Sequence, residues 1–137
     1  MPRACKVVLA NGVFDVLHWG HLRHLQAARK MGTRLVVSVT ADRFVNKGPG
    51  RPVFNQVQRA RMLRALRCVD QVIGVPGLLD ALRRVKPDIL VKGAEYRGKL
   101  EKIHRDYCRD HGIKIRFTTG SAYSTTKLLS HYGPRAR

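Results

Sequence analysis

The sequence has 137 residues, a usual length for one compact domain that buries a core without disulfide or metal cross-links. Its 27 lysines and arginines against 9 aspartates and glutamates leave a formal net charge of +18. No apolar run reaches the roughly 18 residues that span a bilayer, and the first residues do not resemble a secretory signal. We therefore expect a single cytoplasmic domain over residues 1–137, with 132–137 as a frayed basic tail and no membrane partner.

The positive charge has two explanations that the sequence leaves open. A strongly basic surface attracts polyanions, so nucleic acid is one candidate partner. Alternatively, the substrates are themselves phosphates, and the many arginines partly reflect a compositional bias. The basic residues are spread along the chain, without a block or an aromatic-flanked RNA-binding signature. Three scattered cysteines without a CxxC pair argue against a structural zinc site, and we assign them no role.

Short apolar runs alternate with helical patterns along the chain. The segment 46–55 is rich in glycine and proline and is predicted to be a loop. Strands are predicted at 5–10, 35–40, 70–75, 88–91 and 113–117. Helices are predicted from about 20 to 31, from about 56 to 69, at 78–85, at about 100–109 and at 124 to about 131.

This alternation of nearly continuous apolar strands with helices predicts an α/β domain with a doubly wound, parallel, five-stranded, Rossmann-like sheet. Such sheets bind ligands beyond the carboxyl ends of the strands, where the strand order reverses. We therefore expect the chemistry in the loops after the first, second, fourth and fifth strands.

The first of these loops carries the most informative residues. Asn11-Gly12 ends the first strand, and His18, Gly20 and His21 follow where a helix is predicted to begin. A helix start offers free backbone amides and a positive dipole end, and two histidines three residues apart lie on one side of it. This arrangement suits the stabilisation of charge on a phosphoryl group. The alternatives are solvated histidines or metal ligands, since His24 continues the three-residue spacing.

The segment GVFDVLHWGH, residues 12–21, resembles the HxGH signature of the nucleotidyltransferase superfamily, which includes the cytidylyltransferases and the heptose-phosphate adenylyltransferases. The resemblance implies that His18 and His21 are catalytic: they contact a nucleoside triphosphate and stabilise the transition state at its α-phosphorus. It also implies that the strand-end backbone and a carboxylate shape the nucleotide site. These binding residues are Gly12, Val13, Phe14, Asp15 and Gly20.

Three later segments resemble the heptose-phosphate adenylyltransferases in order, so that the likeness extends from about residue 6 to about residue 130. KGPGRP with the following QR implies Lys47 as a catalytic lysine that a flexible loop swings over the triphosphate, and Arg59 as a phosphate ligand. VKGAEY implies that Lys92, Gly93 and Glu95 bind the nucleotide, with glutamate where aspartate is more usual. STT implies that Ser124, Thr125 and Thr126 bind the triphosphate, although plain N-capping also explains hydroxyls there. Ala122 stands where a glycine often precedes this last element.

Together these resemblances imply transfer of a nucleoside monophosphate from ATP to a sugar phosphate similar to heptose 1-phosphate, with release of pyrophosphate. The alternative enzyme is a CTP-dependent cytidylyltransferase acting on glycerol 3-phosphate or a similar polyol phosphate. A nucleic-acid-binding protein on the same fold is the alternative of another class. We expect Mg²⁺ to arrive with the nucleotide rather than in a protein metal site, and a homodimer is common in the family.

Overall fold

Five strands and four α-helices alternate along residues 4–119, the part of the chain that the computed structural model describes. The predicted helix at 124–131, the basic tail, and Ser124, Thr125 and Thr126 lie outside these residues. The strands are β1 (Val7–Gly12), β2 (Arg34–Thr40), β3 (Gln71–Val75), β4 (Ile89–Lys92) and β5 (Lys114–Phe117). The helices are α1 (Trp19–Arg29), α2 (Gln56–Arg64), α3 (Leu78–Val85) and α4 (Lys102–Asp110).

The five strands form one parallel sheet in the order β3-β2-β1-β4-β5. Strand β1 lies at the centre, and Val8, Leu9 and Ala10 have no exposed surface. The chain builds outward from β1 to β3 and then returns to β4 on its other side, so the strand order reverses between β1 and β4. The predicted doubly wound α/β architecture is confirmed.

Helices cover both faces of this sheet, and each face has its own apolar cluster. The α1 and α2 side buries Leu25 and Leu63 against Val8, Val37 and other side chains of one sheet face. The α3 and α4 side buries Leu82 and Cys108 against the opposite face. Since both faces are buried, the strands have the nearly continuous apolar sequences that a covered parallel sheet requires.

Strand β1 and helix α2 end at different residues from those predicted, for reasons that the structure shows. Strand β1 continues through Asn11 and Gly12, which we expected to form a turn, because they pair with Ser38 and Val39 of β2. Helix α2 ends at Arg64 rather than near Val69, because turn hydrogen bonds from Leu66 N to Leu63 O and from Val69 N to Leu66 O replace the helical pattern. Val69 nevertheless packs in the core as predicted.

Within residues 4–119, no helix is long and apolar enough to cross a membrane.

Candidate active site

A cavity of about 360 Å³ opens where the strand order reverses, between the carboxyl ends of β1 and β4. This is the position that the doubly wound topology predicts for a ligand. The cavity brings together most of the site residues expected from the sequence. Its wall includes Gly12, Val13, Phe14, Asp15, His18, Gly20, His21, Lys47, Lys92, Gly93 and Glu95.

Five further residues line the cavity that the sequence analysis did not assign to the site. They are Asn11, His24, Tyr96, Thr118 and Thr119. Each had a signal in the sequence. Asn11 is the last residue but one of β1, His24 continues the three-residue spacing of the histidines, Tyr96 ends the VKGAEY segment, and Thr118 and Thr119 follow β5 directly. Polar residues at strand ends near the reversal point are therefore candidates even outside a family motif.

The two histidines of the first motif hold the start of α1 together. His18 is the N-cap residue, and its Nδ1 accepts a hydrogen bond of 3.0 Å from the amide of Gly20. The Nδ1 of His21 in turn accepts a bond of 3.4 Å from the amide of His18. These reciprocal bonds form a capping box, in which two imidazoles replace the usual hydroxyl and carboxylate. We expected bare amides here, and that expectation was wrong for the amides of His18 and Gly20.

The capping box fixes the tautomer of both rings. A neutral imidazole that accepts a hydrogen bond at Nδ1 carries its proton on Nε2, which is then a donor. The Nε2 atom of His18 has no hydrogen-bond partner among residues 4–119. The two rings stack with their centroids 3.9 Å apart, so their Nε2 donors are presented from neighbouring positions.

The surroundings of these rings favour the neutral form. Burial, together with the charges of His18, His24 and Lys47, lowers the pKa of His21 to about 3. Burial, with the charge of Lys47, also lowers the pKa of His18. In the free protein at neutral pH, both rings therefore carry no net charge and donate from Nε2.

The loop between β1 and α1 has an unusual backbone. Phe14 and Val16 adopt positive φ angles of 51° and 61°, a left-handed conformation that non-glycine residues rarely adopt. The ring of Phe14 contacts His21 edge to face, with centroids 5.4 Å apart. A Cβ on Gly12 would lie 3.0 Å from the Phe14 ring, which accounts for a glycine at that position. This strained loop therefore places Phe14 under the catalytic candidate His21.

Asp15 fastens the first loop to the loop between β2 and α2. Its carboxylate accepts hydrogen bonds from the amides of Val53 and Phe54, at 2.7 and 3.0 Å, and forms a 2.7 Å ion pair with Arg51. Burial alone would raise the pKa of Asp15, but these three donors hold it below its usual value. The residue is 2% exposed, so its oxygens are committed to protein contacts.

Arg59 has a position that the sequence analysis did not expect. Its side chain has no exposed surface and does not line the cavity. The guanidinium donates to the carbonyl oxygens of Val13, Thr40 and Phe54 and to the carboxylate of Asp42. The expectation that Arg59 is a phosphate ligand is therefore corrected. This buried arginine instead joins the loop after β1 to the loop between β2 and α2 through its hydrogen bonds to their carbonyl oxygens.

On the opposite wall, Lys92 and Tyr96 form a pair beside the end of β4. The Lys92 ammonium donates to Asn11 O at 3.1 Å and lies 4.3 Å from the centre of the Tyr96 ring. Burial lowers the pKa of Lys92 to about 8, although Glu95 opposes the shift. A Cβ on Gly93 would overlap the carboxylate of Glu95, so the glycine gives that side chain its place in the wall.

His24 faces the same wall and is bound to Thr118, with 2.7 Å between Nδ1 and Oγ1. The metal-site alternative requires His18, His21 and His24 to converge on one point. Among residues 4–119 no group of three histidine, cysteine or acidic side chains has such an arrangement. Here the first two histidines cap the helix, and the third binds a hydroxyl.

Comparison with known proteins shows the family to which the chain belongs. A family model described as cytidylyltransferase-like matches residues 9–128. The bifunctional protein HldE of Campylobacter fetus subsp. fetus is 43% identical over 130 residues, and that of Gluconobacter oxydans is 44% identical over 131 residues. Both matches cover 90% of this chain but 27% of the relative, so the chain spans about a quarter of the curated relatives' length.

Two solved structures share the fold. The lipopolysaccharide core biosynthesis protein from Thermoplasma volcanium superposes with a TM-score of 0.71 at 30% identity, over 88% of this chain and all of that chain. The pantoate-beta-alanine ligase from Francisella tularensis superposes with a TM-score of 0.63 at 17% identity, over 90% of this chain and 62% of that chain. The second likeness shows the common fold alone.

Proposed function

The chain belongs to the cytidylyltransferase-like family, and from that membership and its cavity we propose that it is a nucleotidyltransferase. It transfers a nucleoside monophosphate from a nucleoside triphosphate to a phosphorylated sugar and releases pyrophosphate. The observation that carries the proposal is the pair of stacked histidines, His18 and His21, whose Nδ1 atoms accept backbone amides at the point where the strand order reverses.

The proposed reaction is a single in-line displacement. A phosphate oxygen of the acceptor attacks the α-phosphorus of the nucleotide, a new P–O bond forms, and the bond to the bridging oxygen of the leaving pyrophosphate breaks. The Nε2–H groups of His18 and His21 donate to the α-phosphate oxygens, on which charge builds up in the transition state. No covalent enzyme intermediate is needed, and catalysis consists of positioning and charge neutralisation.

Lys47 supplies positive charge to this reaction. It lies on the exposed loop between β2 and α2 and lines the cavity. Burial and the neighbouring Arg51 lower the pKa of Lys47, while Asp15 and Glu95 oppose the shift. In the proposal its ammonium neutralises the α-phosphate and the leaving pyrophosphate. The buried hydrogen bonds and ion pairs of Asp15 and Arg59, which we call the clasp, hold the loop that carries Lys47 against the first motif.

The remaining site residues bind the nucleotide. Lys92 pairs with phosphate, and Glu95 accepts hydrogen bonds from a ribose hydroxyl. Ser124, Thr125 and Thr126 hold the triphosphate, as the sequence predicts. The backbone of Gly12, Val13, Phe14, Gly20 and Gly93 shapes the floor on which the nucleotide lies.

We propose Mg²⁺ as a companion of the triphosphate. The carboxylate of Asp15 is fully occupied, and residues 4–119 contain no cluster suited to a metal of the protein's own. The cavity therefore fits an ion that arrives bound to the phosphate oxygens of the nucleotide. Of the two described carboxylates that line the cavity, Asp15 is buried and Glu95 is exposed, so Glu95 is the one that such an ion can approach. When bound, such an ion neutralises part of the triphosphate charge.

For the substrates we propose ATP and a sugar phosphate similar to heptose 1-phosphate. One support is the likeness of the KGPGRP, QR and VKGAEY segments to heptose-phosphate adenylyltransferases. The other is the sequence identity of 43% and 44% to the two HldE proteins. The alternative is CTP with a polyol phosphate such as glycerol 3-phosphate; the description of the family model as cytidylyltransferase-like favours CTP as its donor. The cytoplasmic location stays a prediction from the sequence, and the homodimer stays an expectation from the family resemblance alone.

Pyrophosphate release separates these alternatives. The protein is incubated with ATP or CTP in the presence of Mg²⁺, and each donor is combined with heptose 1-phosphate, glycerol 3-phosphate or no acceptor. We expect release with ATP and the heptose phosphate at a rate at least tenfold above every other pair. Preference for CTP and glycerol 3-phosphate would establish the alternative, and no release with any pair would contradict both.

A further inference from the structure

The net charge of +18 is not explained by the cavity, and part of it gathers at the outer edge of β3. Three arginines from three elements converge on this edge strand. Arg34 of β2 donates to the side chain of Gln71 at 2.6 Å. Arg64 of α2 and Arg84 of α3 donate to the carbonyl oxygens of Val72 and Gly74, each at 3.2 Å. Guanidinium groups therefore line the edge from both faces of the sheet.

Four more cations continue this surface on the same helices and the turns that follow them. We define the β3-edge patch as the seven residues Arg34, Arg61, Arg64, Arg67, Arg83, Arg84 and Lys86. All seven are exposed, and none forms an ion pair with another residue of the described range. By contrast, Lys102 and Arg109 on α4 both pair with Asp106.

The acidic residues within this part of the chain do not neutralise the patch. Between residues 61 and 86 the acids are Asp70 and Asp80. Asp70 is committed to the amide of Leu35 and to Arg29. Asp80 lies one helical turn before Arg83 and Arg84 on α3, but among the described residues it forms no ion pair with either of them. The patch therefore keeps a concentrated positive charge that attracts an extended polyanion.

We propose that the β3-edge patch binds the phosphate backbone of a nucleic-acid duplex without sequence preference. Six of its seven cations are arginines, whose planar guanidinium groups pair well with phosphate oxygens. Among the described residues, the exposed aromatic side chains are Trp19, Phe44 and Tyr96, which lie outside α2, β3 and α3. The patch thus lacks the stacking platform that single strands use.

A bilayer is a less suitable partner for the same surface. Stable insertion needs apolar side chains beside the cations. Val57, in the first turn of α2, is the large exposed apolar side chain on these three elements within the described range. The proposal is independent of the enzymatic function, because the patch follows the outer edge of β3 and contributes no residue to the cavity.

Two triple variants of equal net charge test the proposal. The patch variant carries Arg61→Gln, Arg67→Gln and Arg83→Gln and keeps Arg34, Arg64 and Arg84, the three arginines that donate to β3. The control variant carries Arg109→Gln, Lys114→Gln and Arg116→Gln, three exposed cations at the opposite edge of the sheet. Binding of a fluorescent 20-base-pair DNA duplex of mixed sequence is measured by anisotropy over a range of salt concentrations, after circular dichroism has confirmed equal folding.

We expect the patch variant to bind at least tenfold more weakly than the unmodified chain, and its log–log salt slope to fall by about 2 to 3. The control should stay within about twofold of the unmodified chain. Equal losses in both variants would overturn the proposal, because the attraction would then follow net charge alone. It would also be overturned by a duplex Kd weaker than about 10⁻⁴ M at physiological salt, by tighter binding to a single strand, or by preference for anionic lipid vesicles.

Discussion

His18 and His21 combine a structural and a chemical task through the two nitrogens of each ring. Nδ1 accepts a backbone amide and fixes the ring, while Nε2 carries the proton that the proposed mechanism uses. Because the acceptor side is engaged in the free protein, the donor side is oriented before a nucleotide binds. Preorganised donors stabilise a transition state without reorganising during the reaction.

Replacement of one ring tests this role. His18→Ala should lower kcat by about 10² to 10³, the range found when one preorganised donor is removed. The helix loses a cap, which costs about 1 kcal/mol, and the fold should remain intact. His111→Ala, at an exposed histidine after α4, is the matched control and should keep near-normal turnover. Pyrophosphate release by His18→Ala at the rate of the unmodified chain would refute the assignment.

The protonation of His21 gives a second test. With a folded-state pKa of about 3, below its ordinary value of 6.5, this ring should not titrate between pH 5 and 8 in the free protein. A lowered pKa also means that the unfolded chain takes up the proton first, so the free energy of unfolding should fall as the pH drops from 6.5 towards 3. Side-chain NMR over this range measures the pKa and the Nε2–H tautomer. A titration near pH 6.5 would contradict the buried, neutral ring.

Asp15 is expected to act by positioning rather than by touching the substrate. Asp15→Asn leaves Arg51 and two amides without their carboxylate, and should cost about 3 kcal/mol of stability, as when one partner of a buried pair is removed. It should also lower kcat and increase hydrogen exchange in the 46–55 loop that carries Lys47. Asp80→Asn, at an exposed carboxylate, is the control.

The pH dependence of this loss has a defined sign. Since the pKa of Asp15 lies below its usual value of 3.8, its stabilising effect is complete above that pH and is lost as the pH falls further. The two chains should therefore differ most at neutral pH and converge in acid. An unchanged loop and unchanged kcat in Asp15→Asn would show that the clasp does not position Lys47.

At the scale of the elements, the turn between α1 and β2 depends on a close backbone approach. A Cβ on Gly32 would lie 2.5 Å from the carbonyl oxygen of Lys6, the residue before β1, and 2.7 Å from a methyl of Val8. Gly32→Ala must therefore move one backbone segment, and we expect a loss of about 1 to 3 kcal/mol. At Gly77, where an added Cβ meets no heavy atom within 4 Å, alanine should cost less than about 1 kcal/mol. Urea denaturation compares the two, and equal losses would contradict the steric account.

The elements also show what the sequence could predict. The five strands and the first four predicted helices are present, because apolar periodicity reports directly on which faces are buried. The bounds of β1 and α2 were missed because they depend on pairing with β2 and on a local turn, which periodicity does not encode. The same limit explains Arg59: a motif identifies the residue, but only tertiary contacts decide whether a guanidinium faces a ligand or the protein's own carbonyls.

At the scale of the whole molecule, the sheet order brings distant loops to one cavity. The start of α1 supplies the histidines and the loop after β2 supplies Lys47. The end of β4 supplies Lys92, and the turn after it supplies Glu95. The sequence predicted these loops because ligands collect where a doubly wound sheet reverses its order. The distribution of charge was not predictable in the same way, since the β3-edge patch is built from three elements that meet only in the fold.

A crystal structure with a non-hydrolysable ATP analogue and Mg²⁺ tests the central claim most directly. The account predicts that the triphosphate occupies the cavity between β1 and β4, with Nε2 of both His18 and His21 within about 3.2 Å of phosphate oxygens. The Nδ1 atoms of both rings should keep their bonds to the backbone. A triphosphate bound elsewhere, or imidazoles turned away from it while it occupies the cavity, would contradict the account.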